Sequence, residues 1–203
     1  MDAEELVKRV SERFKGPSVL LVKKAVEFAK LAHTGQKRLS GDPFIVHPLS
    51  VALILADWKL DVASVVAALL HETVEVGGAK KEDLEAEFGQ EIVKLVEGVA
   101  KITNLRLRGS KDEIFVENLR KMLLVVAEDL RVVLLKLADR LDNLETLWVL
   151  PKERQLENAQ ETLEIYAPLA ERLGIGEVKG ELEDLAFPYL YQKEFEKLVE
   201  ESK

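Results

Sequence analysis

Hydrophobic side chains recur every three or four positions along almost the whole of this chain, and no stretch alternates apolar and polar residues convincingly. A spacing of i, i+3, i+4 marks one face of an α-helix, whereas a half-buried strand needs a period of two. The pattern restricts the chain to an all-α fold, a bundle of about ten helices. Glycine and proline set the breaks. Leu6, Val7, Val10 and Phe14 line one face of a helix over 3–14, and Gly16 and Pro17 end it. Ser18 is placed to cap the next helix, 18–33. Pro48 suits the first turn of a helix that runs to about Asp57. Asp61 opens another that reaches Glu75 before Gly77 and Gly78 stop it. Further helices are expected over 81–88, 90–102, 113–128, 130–149, 153–173 and 177–202, the last broken near Pro188. Residues 1–176 read as the main domain and 177–203 as a helical appendage.

Two stretches do not fit a helix. Residues 34–47 (TGQKRLSGDPFIVH) form a long connection for a compact helical domain, and such loops are disproportionately functional. Residues 103–112 are polar and basic.

Composition excludes several classes of function. The net charge is −8, which argues against general DNA binding while leaving room for a local basic pocket. With no cysteine there is no disulfide framework and no thiol chemistry. The N-terminus is acidic and amphipathic rather than signal-like, and no apolar run reaches the ~18 residues of a membrane span. These features lead us to expect a cytoplasmic protein.

The candidate chemistry lies in the few polar residues set into apolar runs. His33, His47 and His71 are the only histidines. His33 ends a helix, where a capping role accounts for it. His47 stands at a loop-to-helix junction. His71 follows Ala67–Leu70 and precedes Glu72, with Glu75 one turn on. Buried imidazole and carboxylate groups need partners, and a metal ion would satisfy several together. In LLKLADRLDNLETL, Asp139, Asn143 and Thr146 share a helix face. The bland reading of Asp139 is a solvated residue paired with Lys136 or Arg140. Lys37, Arg38 and Ser40 form a basic-polar patch ahead of His47, suited to phosphates or a guanine ring. The order loop-His, His-acid, distant Asp is that of an HD-type phosphohydrolase.

Taken together, GQKRLSGDPFIVHPLSVA, AALLHETVEV, ENLRKMLLVVAEDLRVVLLKLADRLDNLETL and AQETLEIYAPLAERLGIGEVKGELEDLAF resemble the N-terminal hydrolase domain of the RelA/SpoT homologue family, in order and over almost the whole chain. The resemblance implies an HD-domain helical bundle and a manganese-dependent activity of the stringent response. That activity removes pyrophosphate from the 3′ position of ppGpp or pppGpp, leaving GDP or GTP. It implies His47, His71, Glu72 and Asp139 as metal ligands and Glu75 as the residue that activates water. Arg38, Ser40, Asn143 and Thr146 match positions of the nucleotide pocket. Long members carry a synthetase domain after this one. Two departures stand out. HDxxED reads His71-Glu72-Thr73-Val74-Glu75-Val76, and HNxRTL reads Asp142-Asn143-Leu144-Glu145-Thr146-Leu147. The second exchange adds negative charge where a polyphosphate would bind. The alternative reading is therefore a weakened hydrolase-like domain that binds guanine nucleotide or regulates a synthetase. A third is an HD-type hydrolase of another nucleotide.

Overall fold

The computed structural model describes residues 3–103 and 128–201. The expected helix at 113–128 and the basic stretch 103–112 fall, but for their end residues, outside them. Eleven α-helices are present among the described residues: α1 Ala3–Arg13, α2 Pro17–Ala32, α3 Val46–Asp57, α4 Val62–Leu70, α5 Lys81–Phe88, α6 Gln90–Thr103, α7 Leu130–Glu145, α8 Lys152–Glu161, α9 Ala167–Arg172, α10 Gly176–Leu190 and α11 Gln192–Glu201. A π-helical turn, Thr162–Tyr166, joins α8 to α9, so these two form one rod. No strand occurs among the described residues, only an isolated antiparallel bridge between Lys37 and Pro43. The all-α expectation holds.

The helices differ in how many faces they bury. On α2 the buried positions are Val22, Ala25, Val26 and Ala29, the i, i+3, i+4, i+7 stripe of a surface helix. By contrast α4 buries every residue from Ser64 to Leu70, and α3 buries nearly all from His47 to Ala56. A helix apolar all round belongs inside. α4 packs against α2, α3, α6 and α7. α7 is nearly as deep and buries Lys136, Asp139, Arg140 and Asp142 among its leucines. These three inner helices supply the polar cluster described below. α10 packs on α7, α8 and the π turn, whereas α11 touches α10 and buries none of its side chains.

Several boundaries depart from the periodic reading. Pro17 is the first residue of α2 and Gly16 its N-cap, with φ of 56°, so Ser18 does not cap the helix. α3 starts at Val46, two residues before Pro48. Asp61 caps α4 as expected, its carboxylate accepting from the Ser64 amide at 2.7 Å. α4 then stops at Leu70 rather than Glu75. There the His71 Nδ1 donates to the Ala68 carbonyl at 2.7 Å and the Thr73 hydroxyl to that of Leu70 at 2.7 Å. Side chains thus take the carbonyls that a further helical turn would use. Pro188 does not break α10, which continues to Leu190. The carbonyl that loses its partner belongs to Asp184, an exposed residue that water can reach.

Candidate metal centre and pocket

Three inner helices converge on one point. His47 lies in the first turn of α3, His71 caps the C-terminus of α4, and Asp139 sits in the middle of α7. One ligand atom from each lies within 4.8 Å of the others, and all three residues are buried. His47 Nε2 is 3.2 Å from Asp139 Oδ1, and His71 Nε2 is 3.9 Å from the same oxygen. Glu72 Oε2 approaches His47 Nε2 to 3.6 Å.

The donor chemistry fits a cation. With Nδ1 of His71 committed to the Ala68 carbonyl, its Nε2 carries the lone pair and points inward. That atom and Glu72 Oε2 are buried and have no hydrogen-bond partner. Orphaned buried acceptors are costly, and a divalent ion would satisfy both. Two imidazole nitrogens with carboxylate oxygens form a donor set suited to a first-row divalent metal.

The two histidines differ in their electrostatics. Burial pushes His47 down, but the hydrogen bonds its ring donates to Asp139 and Asp142 outweigh it and raise its pKa to about 9, so a metal taking Nε2 would displace a proton there. Burial dominates at His71 and lowers its pKa, favouring the neutral ring that a metal requires. For Asp139, burial works against ionisation. Lys136 and His47 overcome it and hold the carboxyl well below its usual range. Lys136 Nζ donates to Asp139 Oδ2 at 2.6 Å, and Asn143 Nδ2 donates to Oδ1 at 2.7 Å. Asp139 does pair with Lys136, but both are buried, so the reading of a solvated stripe fails. Arg140 faces away from it. Its guanidinium reaches Asn158 Oδ1 at 3.0 Å and Glu161 Oε2 at 2.6 Å and lies 4.2 Å over the Tyr166 ring of the π turn.

A pocket of about 440 Å³ opens beside the cluster. His47 and Glu72 form its floor side, Arg38 and Ser40 come from the 34–45 loop, and Asn143 and Thr146 come from the end of α7. The loop is pinned by its own backbone. The Arg38 amide donates to the Asp42 carbonyl at 2.9 Å and the Phe44 amide to that of Gln36 at 3.0 Å. Gly41, with φ of 92°, makes the turn between them. Four nucleotide-pocket positions expected from the sequence therefore line one cavity next to the expected metal ligands. Glu75 does not line it and is exposed, one turn past Glu72. His33 stays structural: it is buried, bonded through Nδ1 to Gln36 Oε1 at 2.8 Å and stacked on Phe44.

The sequence reading missed the work of Asp142. That residue was expected to add unfavourable charge to the pocket. Its carboxylate instead turns inward, where Oδ2 lies 2.5 Å from His47 Nδ1 and accepts from Arg38 Nη1 at 2.8 Å. Its place three residues after Asp139, on the same side of the helix, was the available signal, and it does not tell which way the side chain turns.

Comparison with known proteins agrees with the geometry. Residues 25–176 match the model of the HD domain family. The chain belongs to that family. Within it, the chain is similar to proteins of the RelA/SpoT type. The chain is 50% identical over 177 residues to guanosine-3′,5′-bis(diphosphate) 3′-pyrophosphohydrolase of Aquifex aeolicus, covering 87% of this chain and 25% of that protein. It is 47% identical to the protein of the same name from Vibrio cholerae, over 91% of this chain and 26% of that one. A GTP pyrophosphokinase of Myxococcus xanthus is 48% identical over 92% of this chain and 25% of its own length. The chain thus spans about a quarter of the length of these relatives. A solved structure described as a metazoan ortholog of SpoT that hydrolyzes ppGpp superposes with a TM-score of 0.55 at 25% identity, covering 89% of this chain and 97% of that one.

Proposed function

We propose that this chain is a divalent-metal-dependent 3′-pyrophosphohydrolase of ppGpp and pppGpp. The carrying observation is the juxtaposition of the His47–His71–Asp139 cluster with a pocket walled by Arg38, Ser40, Asn143 and Thr146. The relatives named for this reaction, and the ppGpp-hydrolysing structural neighbour, support it. His47, His71 and Asp139, with Glu72 as a fourth, would hold the ion, and manganese is the ion we propose. When bound, such an ion acidifies water and polarises a phosphoryl oxygen.

The chain's own residues bind, orient and tune. Arg38 offers a planar guanidinium for stacking on guanine or pairing with phosphate. Ser40 and Thr146 line the same cavity, the Ser40 hydroxyl donating to Asp42 Oδ2 at 2.8 Å. Asn143 spans Arg38 and Asp139, accepting from Arg38 Nη2 at 2.9 Å. Lys136 keeps Asp139 ionised. We assign Glu75 to positioning water, acting from outside the pocket wall. The reaction consumes one water and yields GDP or GTP with pyrophosphate, breaking the bond between the ribose 3′-oxygen and phosphorus.

No described helix is long and apolar enough to cross a membrane. We also propose action in the cytoplasm, without DNA or membrane, and, if this sequence is part of a longer polypeptide like its relatives, a synthetase domain after the 177–203 appendage. A nucleotide panel tests the substrate: ppGpp and pppGpp should be hydrolysed, and nucleotides lacking a 3′-diphosphate should not. Preferential turnover of an adenine nucleotide or a deoxynucleotide would overturn the assignment.

A further inference from the structure

We propose that Asp142 is a positioning residue shared by the two halves of the site, holding a metal ligand and a nucleotide contact through one carboxylate oxygen. The inference rests on the reading of the cluster as a metal centre and of the pocket as a nucleotide site. Asp142 Oδ2 lies 2.5 Å from His47 Nδ1 and 2.8 Å from Arg38 Nη1. On the first side, the bond sets Nδ1 as the protonated nitrogen of His47. That directs Nε2 at the point shared with Asp139 and His71. On the second, it anchors a guanidinium that is mostly buried at the pocket wall. The neighbouring Asn143 repeats the arrangement. It accepts from Arg38 Nη2 and donates to Asp139 Oδ1. The Arg38 fork therefore rests on two consecutive α7 residues, each bonded to a candidate metal ligand. Both contacts converge on Asp142 Oδ2 rather than being divided between its two oxygens.

The test uses the full chain and two separate titrations by calorimetry: Mn2+ without nucleotide, and GDP in the presence of EDTA. Asp142→Ala should lower Mn2+ affinity about 10- to 100-fold, as loss of an outer partner of a ligand does. It should also weaken GDP severalfold. Asp142→Asn keeps an acceptor oxygen and should restore most of the Mn2+ affinity. Arg38→Ala should weaken GDP. Adding Asp142→Ala to it should weaken GDP no further, because Asp142 reaches nucleotide only through Arg38, while Mn2+ affinity still falls. Unchanged Mn2+ or GDP affinity in Asp142→Ala overturns the proposal. So does further GDP loss in the double variant, the mark of general distortion. If Asp142→Ala does not fold, Asp142→Asn carries the same cycle. A smaller GDP loss is then expected, absent in the Arg38→Ala background, and its persistence there or its failure to occur overturns the proposal. Neither titration involves turnover. A wild-type chain that binds both ligands but releases no pyrophosphate defeats the hydrolase reading and leaves the shared role of Asp142 standing.

Discussion

At the scale of single residues, the centre is held by paired burial. Asp139 and Lys136 are a buried ion pair on one turn of α7. Removing one member of such a pair costs about 3–5 kcal/mol, because the other charge stays in the interior. Asp139→Ala should therefore destabilise the fold by about that much in urea unfolding. Adding Lys136→Met should recover a good part of the loss. No recovery would mean that Lys136 does not depend on Asp139. Residue chemistry also bears on turnover. Val76 stands, 42% exposed, where the RelA/SpoT pattern has a second acid, and Glu72 stands for Asp. If these substitutions limit the enzyme, Glu72→Asp with Val76→Asp should raise the kcat for ppGpp. An unchanged kcat would show that they do not. The candidate ligands His47, His71 and Asp139 stood out because histidine and aspartate inside apolar runs are conspicuous. Asp142 was not, since sequence gives no direction for a side chain. A carboxylate that faces His47 and Arg38 looks the same in one dimension as one that faces solvent.

Between helices, the account turns on ends and crossings. Arg131 binds the Asp129 carboxylate, Asp61 at the start of α4 and Glu91 at the start of α6. Burial raises the Asp61 pKa, but the Ser64 amide and Arg131 bring it below its usual value. At Asp129 the Arg131 hydrogen bond is the main lowering cause. Both folded-state values lie below the unfolded ones. The stability they add is complete above the unfolded pKa, ~3.9, and is lost as pH falls through the lower folded values. Unfolding free energies measured from pH 7 to pH 3 should fall in the acid range. Asp61→Asn, which keeps an N-cap oxygen, should flatten that fall. An equal acid response in both proteins would remove Asp61 from the explanation.

The α6–α7 crossing makes a second prediction. A Cβ at Gly98 would stand 2.7 Å from Val132 Cγ2. Gly98→Ala should destabilise by about 1–2 kcal/mol despite the better helix propensity of alanine, because the crossing is overpacked. A gain in stability would show that the helices can separate. Helix existence was readable from periodicity and from glycine and proline. Helix ends were less so. α4 stops where His71 and Thr73 take its carbonyls, and α10 passes Pro188 because the freed carbonyl is at the surface.

Across the whole molecule, burial is graded toward the site. α4 is buried along its length, α3 and α7 flank it, and the polar cluster forms where those three meet. The 34–45 loop then closes one side of a pocket whose other walls are helical. The proposed binding of an anionic nucleotide by a chain of net charge −8 rests locally on Lys37 and Arg38, which line the cavity, while Asp142 turns away from it. The most direct measurement is release of pyrophosphate from ppGpp by the purified chain. It should be assayed with Mn2+, after chelation, and after Mn2+ is returned. GDP and pyrophosphate should appear in equal amounts with Mn2+, cease on chelation and resume on its return. A chain that binds Mn2+ and yet releases no pyrophosphate from ppGpp would contradict the account.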